Sequence, residues 1–289
     1  MPKHKPKKEH KKMLKKANGQ LVPFDPARVL KSISRTGVDG KTAKEILKAV
    51  EASFTHLMPT RDIYKLISEE LDKRKPWAAA RYDLRQALIK MGPAGYNFEK
   101  YVASILSAYG YKTETPDTYK GACIEHEIDV TAEKDGRTAF IEAKFRHDFS
   151  ASINIKDTMS TWARFLDLVD GSKVDLCPHF DEVWIVTNAR FTDQSLEFGH
   201  CKNMKLIGWN HPHERSFAQM VDLDALYPVT ILKDLKQNEA EMFARADIML
   251  CRDLVESNID AVHQQTGISM QRLESIKILC EQVMHGDKA

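Results

Sequence analysis

The chain has 289 residues and a mass of 33.0 kDa, more than the roughly 100–200 residues of one compact domain, so two or three folded units are expected. Hydrophobic residues make up 43% and charged residues 29%; without an apolar run of roughly eighteen residues, cores can form but a membrane-spanning helix cannot. The net charge of +2 hides an asymmetry, because residues 1–16 hold eight lysines against Glu9, a local +7 that leaves −5 for the rest.

The lysine-rich start, residues 1–12, is too like-charged to pack and reads as a flexible basic tail suited to a polyanion partner. It lacks the apolar core and cleavage site of a signal peptide. Cys123, Cys177, Cys201, Cys251 and Cys280 are odd in number and widely spaced, as reduced thiols are, so a cytoplasmic location is expected.

From Met13 the pattern becomes structural. Asn18-Gly19 between short apolar runs predicts a β-hairpin. Asp25-Pro26 reads as an N-cap followed by proline in the first helical position, starting a helix through about Ser34. Ile46, Leu47, Val50, Phe54 and Leu57 predict a second helix. Thr60 and Asp62 are expected to cap a third, with Ile63, Leu66, Ile67 and Leu71 inward, and a fourth runs from Trp77 to about Met91. Gly92-Pro93-Ala94-Gly95 reads as a linker closing a domain over 13–91. Gly40-Lys41-Thr42 is not a P-loop: Arg35 stands where its first glycine is needed, and a turn before a helix accounts for the segment.

After the linker come a helix with Phe98, Val102, Ile105 and Leu106 inward and strands near 111–115, 125–131 and 137–145, the last two joined at Asp135-Gly136. A helix with Met159, Trp162, Phe165, Leu166 and Val169 on one face follows, then apolar strands at Val183–Val186 and Leu206–Trp209. This order implies a mixed sheet flanked by helices over residues 94–231, with Trp162, Trp184 and Trp209 in the core. Residues 232–289 read as a helical C-terminal module broken at Thr266-Gly267-Ile268-Ser269. Cys177-Pro178-His179, His200-Cys201 and His211-Pro212-His213 lack the paired spacing of a structural zinc site.

Chemistry concentrates in Glu125-His126-Glu127-Ile128-Asp129-Val130 and Phe140-Ile141-Glu142-Ala143-Lys144-Phe145. Residues two apart on a strand share a face, so Glu142 and Lys144 point together while Ile141, Ala143 and Phe145 pack. A buried carboxylate and ammonium need partners. Asp129 on the neighbouring strand brings a second carboxylate, and two hard oxygen ligands suit Mg²⁺ or Mn²⁺. With Lys144 beside them, this is chemistry for phosphodiester hydrolysis.

These residues resemble the PD-(D/E)xK nuclease core of the Mrr-type restriction endonucleases over about residues 94–210, with Ile128 in place of the name-giving proline. The resemblance implies Glu99 as the upstream helical acid and a metal held by Asp129, Glu142 and the backbone carbonyl of Ala143, with Lys144 catalytic. No clear glutamine follows the E-x-K strand, which leaves open how the substrate phosphate is held. Nucleic acid, DNA favoured, would be the substrate. The alternative is an inactive, nucleotide-responsive nucleic-acid binder.

Residues 13–91 are similar to the ATP-cone, the regulatory module of ribonucleotide reductases, through Lys15-Lys16-Ala17-Asn18-Gly19, Val22-Pro23-Phe24-Asp25-Pro26-Ala27-Arg28 and Pro59-Thr60. That similarity implies Lys15, Lys16 and Arg28 on the phosphates of ATP or dATP. It implies residues 22–28, Val22 and Phe24 among them, wrapped around the nucleotide, with Asn18 and Gly19 also in the binding site and Thr60 near the base. Nucleotide binding would gate cleavage through domain arrangement or through a homo-oligomer. The last helices loosely resemble helix-hairpin-helix folds.

Overall fold

A computed structural model of the chain describes residues 12–16, 18–91, 95–115, 117–148 and 150–288. Most of the expected basic tail, Ala17 of the Lys15–Gly19 motif and residues 92–94 of the expected linker lie outside them. The chain divides into two compact units, Met1–Asp83 and Leu84–Ala289.

In the first unit, β1 (Met13–Lys15) and β2 (Leu21–Pro23) pair antiparallel around Gly19, which takes a positive φ. Helix α1 (Pro26–Ser34) starts as the sequence implies: the Asp25 carboxylate accepts from the amides of Ala27 and Arg28, and Pro26 fills the first position. Asp39 caps α2 (Gly40–Ala52) in the same way. Not expected from the sequence is β3 (Met58–Pro59), which pairs parallel with β1 and completes a three-stranded sheet. Because Pro59 is held in that sheet, α3 (Thr60–Arg74) begins directly after it, and Thr60 is its first residue rather than its cap. The expected fourth helix is two helices. Tyr64 and Ser68 on α3 hold the Asp83 carboxylate at 2.5 and 2.8 Å, ending α4 (Pro76–Tyr82), and α5 (Leu84–Ile89) belongs to the second unit.

The second unit continues with α6 (Gly95–Ala108), on which Phe98, Val102, Ile105 and Leu106 are buried as expected. Then come β4 (Lys112–Glu114), β5 (Asp117–Lys120), β6 (Glu125–Ile128), β7 (Val130–Lys134) and β8 (Arg137–Lys144). Asp135 and Gly136 both take positive φ between paired Lys134 and Arg137, the geometry of a two-residue primed turn. Next are β9 (Ser152–Ile153), α7 (Ile155–Ser172), β10 (Glu182–Thr187), β11 (Arg190–Phe191), α8 (Asp193–Cys201), β12 (Lys205–Ile207) and α9 (Phe217–Leu223). The main sheet runs β12-β10-β8-β7-β4, parallel on the β12 side and antiparallel on the β4 side, so the expected mixed sheet is present. Phe140, Phe165, Leu168, Ile185 and Leu206 fill the core on its α7 face. Helices α10 (Gln237–Arg245), α11 (Cys251–Glu256), α12 (Ile259–Thr266) and α13 (Met270–His285) complete the chain, with Gly267 in the left-handed region between the last two.

Two expectations about this unit change. The strand expected over 125–131 is broken at Asp129: β6 pairs with β5 in a separate two-stranded sheet, and β7 enters the main sheet. Helix α7 is also rotated relative to its apolar pattern. Thr158, Thr161, Phe165, Leu168 and Gly171 are buried, whereas Met159 and Leu166 stay 51% and 44% exposed. The rotation places Gly171 where a Cβ would lie 2.9 Å from the Gly121 backbone and turns Arg164 toward Glu142.

Candidate active site

Four sequence-predicted residues come together in the second unit. Glu142 and Lys144 stand at the end of β8, Asp129 stands between β6 and β7, and Glu99 reaches them from the first turns of α6. Asp129 acts on β8 directly, its carboxylate accepting the Ala143 amide at 2.7 Å. The β7–β8 ladder ends at the pair of Val130 and Ile141, so Ala143 is free of that ladder on the side facing Asp129. A strand residue sends its N–H and C=O to the same side, which aims the Ala143 carbonyl at the same gap.

Glu142 is 3% exposed. An isolated carboxylate at that depth would lose several kcal/mol of hydration (roughly the cost of an unpaired buried ion), so it must be partnered. The Lys144 ammonium holds one of its oxygens and the Arg164 guanidinium the other. Arg164 also donates to the Glu127 carbonyl and lies over the Phe140 ring. Sequence reasoning missed Arg164. The available signal was a cation three residues after Thr161 and four before Leu168, on what proves to be the inward side of α7.

The carboxylates feel one another. Burial, and then the charges of Asp129, Glu127 and Glu142, push the Glu99 carboxyl up to about 7, with Lys144 pulling the other way. Asp129 is raised to about 6, first by burial and then by Glu142, against the pull of the Ala143 amide, Lys144 and Arg164. Beyond the site, the end of β8 is held in place: Asn188 bonds both the amide and the carbonyl of Arg146 at 2.8 Å, and Arg146 pairs with Asp157 on α7 at 3.2 Å.

Among the described residues, no three His, Cys, Asp or Glu side chains gather in a metal-binding arrangement. A hard divalent cation nonetheless fits the donor set, because two carboxylates and a strand-end carbonyl face one gap, and burial, with the neighbouring carboxylates second, makes charge on Asp129 and Glu99 costly unless a cation offsets it. His200 and His211 have ring centroids 6.0 Å apart, and among the described residues they belong to no metal-holding group of three His, Cys, Asp or Glu.

The residues implied for nucleotide binding lie in the first unit. Lys15 pairs with Leu21 and Pro59, Val22 pairs with Leu14, and Thr60 follows Pro59, so the three-stranded sheet sets Val22 and Thr60 on either side of the strand that carries Lys15. Lys16 is exposed and donates to Gln20 at 2.9 Å; the Asn18 side chain accepts the Gln20 amide. Phe24 packs on Phe54 at 4.8 Å, and Arg28 is exposed on α1. The α1 amides of Ala27 and Arg28 serve the Asp25 carboxylate, so an incoming phosphate would compete with an acid for them.

A family model described as a restriction endonuclease matches residues 91–211, and a second, described as AF1548-like, C-terminal, matches residues 227–284. Both matches fall inside the second unit. An uncharacterized protein of Archaeoglobus fulgidus is 33% identical over 175 residues, 61% of this chain and 95% of that protein. The crystal structure of AF1548, a protein of unknown function, is similar at a TM-score of 0.59 and 30% identity, covering 67% of this chain and 100% of the other.

Proposed function

The chain belongs to the AF1548 family, as a restriction endonuclease-like domain joined to an AF1548-like C-terminal domain, and on that footing we propose that it is a metal-dependent endonuclease acting on DNA. The observation that carries this reading is the convergence of Glu99, Asp129, Glu142 and Lys144 from three elements on one gap, with Arg164 beside them. Asp129, Glu142 and the Ala143 carbonyl would hold Mg²⁺ or Mn²⁺. Such an ion, when bound, polarises the phosphodiester and acidifies a water molecule. Lys144 sits where its ammonium can offset charge developing on the phosphate oxygens and orient the attacking water. Glu99, raised to about 7, is partly ionised at neutral pH and can take the proton of that water at a carboxylate oxygen. Arg164, whose two terminal nitrogens hold Glu142 and the Glu127 carbonyl, would bring positive charge beside the phosphate, toward the role left open by the absent glutamine.

The test is a nuclease panel with Mg²⁺ or Mn²⁺ on duplex DNA, single-stranded DNA and RNA, comparing the wild type with Glu142→Ala and Lys144→Ala. Cleavage lost in both variants supports the assignment; cleavage unchanged in Glu142→Ala refutes it. One feature favours the alternative of a non-cleaving nucleic-acid binder, namely that both oxygens of Glu142 are held by cations. In that case binding would fall steeply with salt and no divalent ion would produce cleavage.

The first unit is proposed to be an ATP-cone through which ATP or dATP gates cleavage and the state of a homo-oligomer. Adjacent strands carrying Lys15, Val22 and Pro59-Thr60 support this reading. Calorimetry of the full chain with dATP should give binding that Lys16→Ala weakens, and light scattering should register a nucleotide-dependent change in mass. No heat with ATP or dATP would remove the regulatory claim.

A further inference from the structure

The second unit contains another concentration of charge, at the opposite end of the sheet from Glu142 and Lys144. There β7 ends and β10 and β12 begin, and a cavity of about 190 Å³ is walled by Tyr109, Tyr111 and Trp184 and rimmed by Lys134, Lys205 and Arg215. Its floor is apolar, from Leu106 and Met220.

Each cation rests on a ring. Lys205 Nζ lies 3.7 Å from the Trp184 centroid, Lys134 Nζ 5.0 Å from that of Tyr111, and the Arg215 guanidinium carbon 5.5 Å from that of Tyr109. Glu182 fixes the indole by accepting from Trp184 Nε1 at 2.7 Å, and Tyr111 meets the same ring edge-on at 5.5 Å. Lys134 donates to the Tyr109 carbonyl at 2.7 Å. Among the described residues, none of the three cations is ion-paired to a carboxylate. They crowd one another, and the Lys205 ammonium is lowered by lost hydration, raised in part by Glu182, then lowered again by Arg215 and Lys134.

A ring face is a weak substitute for a counter-ion, since a cation–π contact at a partly exposed site stabilises by only about 0.5–1 kcal/mol. Three unpaired cations at one mouth therefore favour a dianion over a single carboxylate. The volume is below the roughly 300 Å³ at which drug-sized sites begin, so it takes one ring system and no more. Aromatic walls suit a nucleobase, every one of which offers a π-face. We propose that this cavity binds a nucleoside monophosphate unit, with the phosphate among Lys134, Lys205 and Arg215 and the base against the aromatic wall. The unit is either a free mononucleotide or the 5′-terminal nucleotide of a strand.

The experiment is calorimetry on the full chain with EDTA present, using dAMP, inorganic phosphate, and short single strands with a 5′-phosphate or a 5′-hydroxyl. Lys205 and Arg215 are exposed, so the Lys205→Ala/Arg215→Ala variant should fold normally, as circular dichroism will check. With every titration run in a Lys16→Ala background, which removes the contribution of the proposed ATP-cone, the expected result is dAMP binding weakened at least tenfold by the added Lys205→Ala/Arg215→Ala pair, with phosphate at least tenfold weaker than dAMP. Competition by the 5′-phosphorylated strand alone assigns the site to strand ends; competition by neither strand assigns it to free nucleotide. Absent dAMP binding, equal binding in the double variant, or phosphate binding as tightly as dAMP overturns the proposal. Lys16→Ala separates this site from the proposed ATP-cone, and EDTA separates it from cleavage.

Discussion

Replacing Arg164 with alanine isolates the electrostatics of the site from its chemistry. Glu142 has a side chain only 4% exposed, and its two oxygens are held by Arg164 and Lys144. Breaking one partner of a buried ion pair costs roughly 3–5 kcal/mol, because the remaining charge stays desolvated. Arg164 is itself 25% exposed and Lys144 remains in the variant, so the lower end, about 3 kcal/mol, is the appropriate figure. For a domain of 150–250 residues each kcal/mol moves Tm by about 2–4 °C, giving a fall of about 6–12 °C in the transition of the second unit. Differential scanning calorimetry near neutral pH with EDTA measures it. Millimolar Mn²⁺ should then raise the variant's Tm more than the wild type's, because removing a cation from Glu142 leaves the gap more negative. Arg164→Lys keeps the charge but loses the second donor that reaches the Glu127 carbonyl, and should lie between the two. A fall of less than about 2 °C in Arg164→Ala would mean that Glu142 does not depend on this partner, and a variant indifferent to Mn²⁺ would remove the cation site.

Three further outcomes follow from the same structure. Glu99 and Asp129 have folded-state values of about 7 and about 6, above the ordinary carboxylate range, so between pH 4.5 and 7 the folded protein retains protons that the unfolded chain has released. In EDTA their contribution to stability is therefore present at low pH and lost as pH rises through 6 to 7, and urea unfolding of Glu99→Gln should show a shallower decline; an identical slope would reject the shift at Glu99. Gly171→Ala places a Cβ 2.9 Å from the Gly121 backbone, an overpacking that should destabilise by about 1–3 kcal/mol in urea titration. Arg272 on α13 holds the buried Glu239 of α10 through two bonds of 2.9 Å and also reaches Asp234, so Arg272→Ala should lower stability by about 2–4 kcal/mol, whereas Lys173→Ala, in an exposed pair with Asp170, should change it by less than about 0.5 kcal/mol.

What could be read from the sequence was local. Asp25-Pro26 defines the start of α1, Asp135-Gly136 the turn before β8, and the alternation through Phe140–Phe145 the shared face of Glu142 and Lys144, because each depends on residues a few positions apart. The spacing within the hairpin puts Asp129 near Glu142 and Lys144, whereas Glu99 rested on the resemblance to the Mrr-type nucleases; the structure brings the four to one gap. Features that depend on distant partners were not legible. The strand at Met58–Pro59 exists because β1 offers it an edge, and two residues carry no periodicity by which to recognise it. The fourth helix breaks because Tyr64 and Ser68 hold Asp83, a contact across fifteen or more positions.

Helix α7 shows why the missing part of the site was the hardest to see. Its apolar residues centre on Trp162 and Leu166, and amphipathicity alone would turn that stripe inward. The fold gives it a different face, with Thr158, Thr161 and Gly171 buried, because two interactions outweigh the exposure of Met159 and Leu166. One is the close backbone approach that Gly171 makes to Gly121; the other is the pairing of Arg164 with Glu142. Leaving Met159 and Leu166 half exposed costs on the order of 1 kcal/mol each, while Glu142 held by Lys144 alone would cost about 3 kcal/mol. The buried carboxylate therefore sets the rotation of the helix and brings to the gap the one cation that the sequence pattern had placed elsewhere. If Glu142→Gln removes the demand for a partner, Arg164→Ala in that background should cost much less than in the wild type. Equal costs in the two backgrounds would mean that packing, and not charge, orients α7.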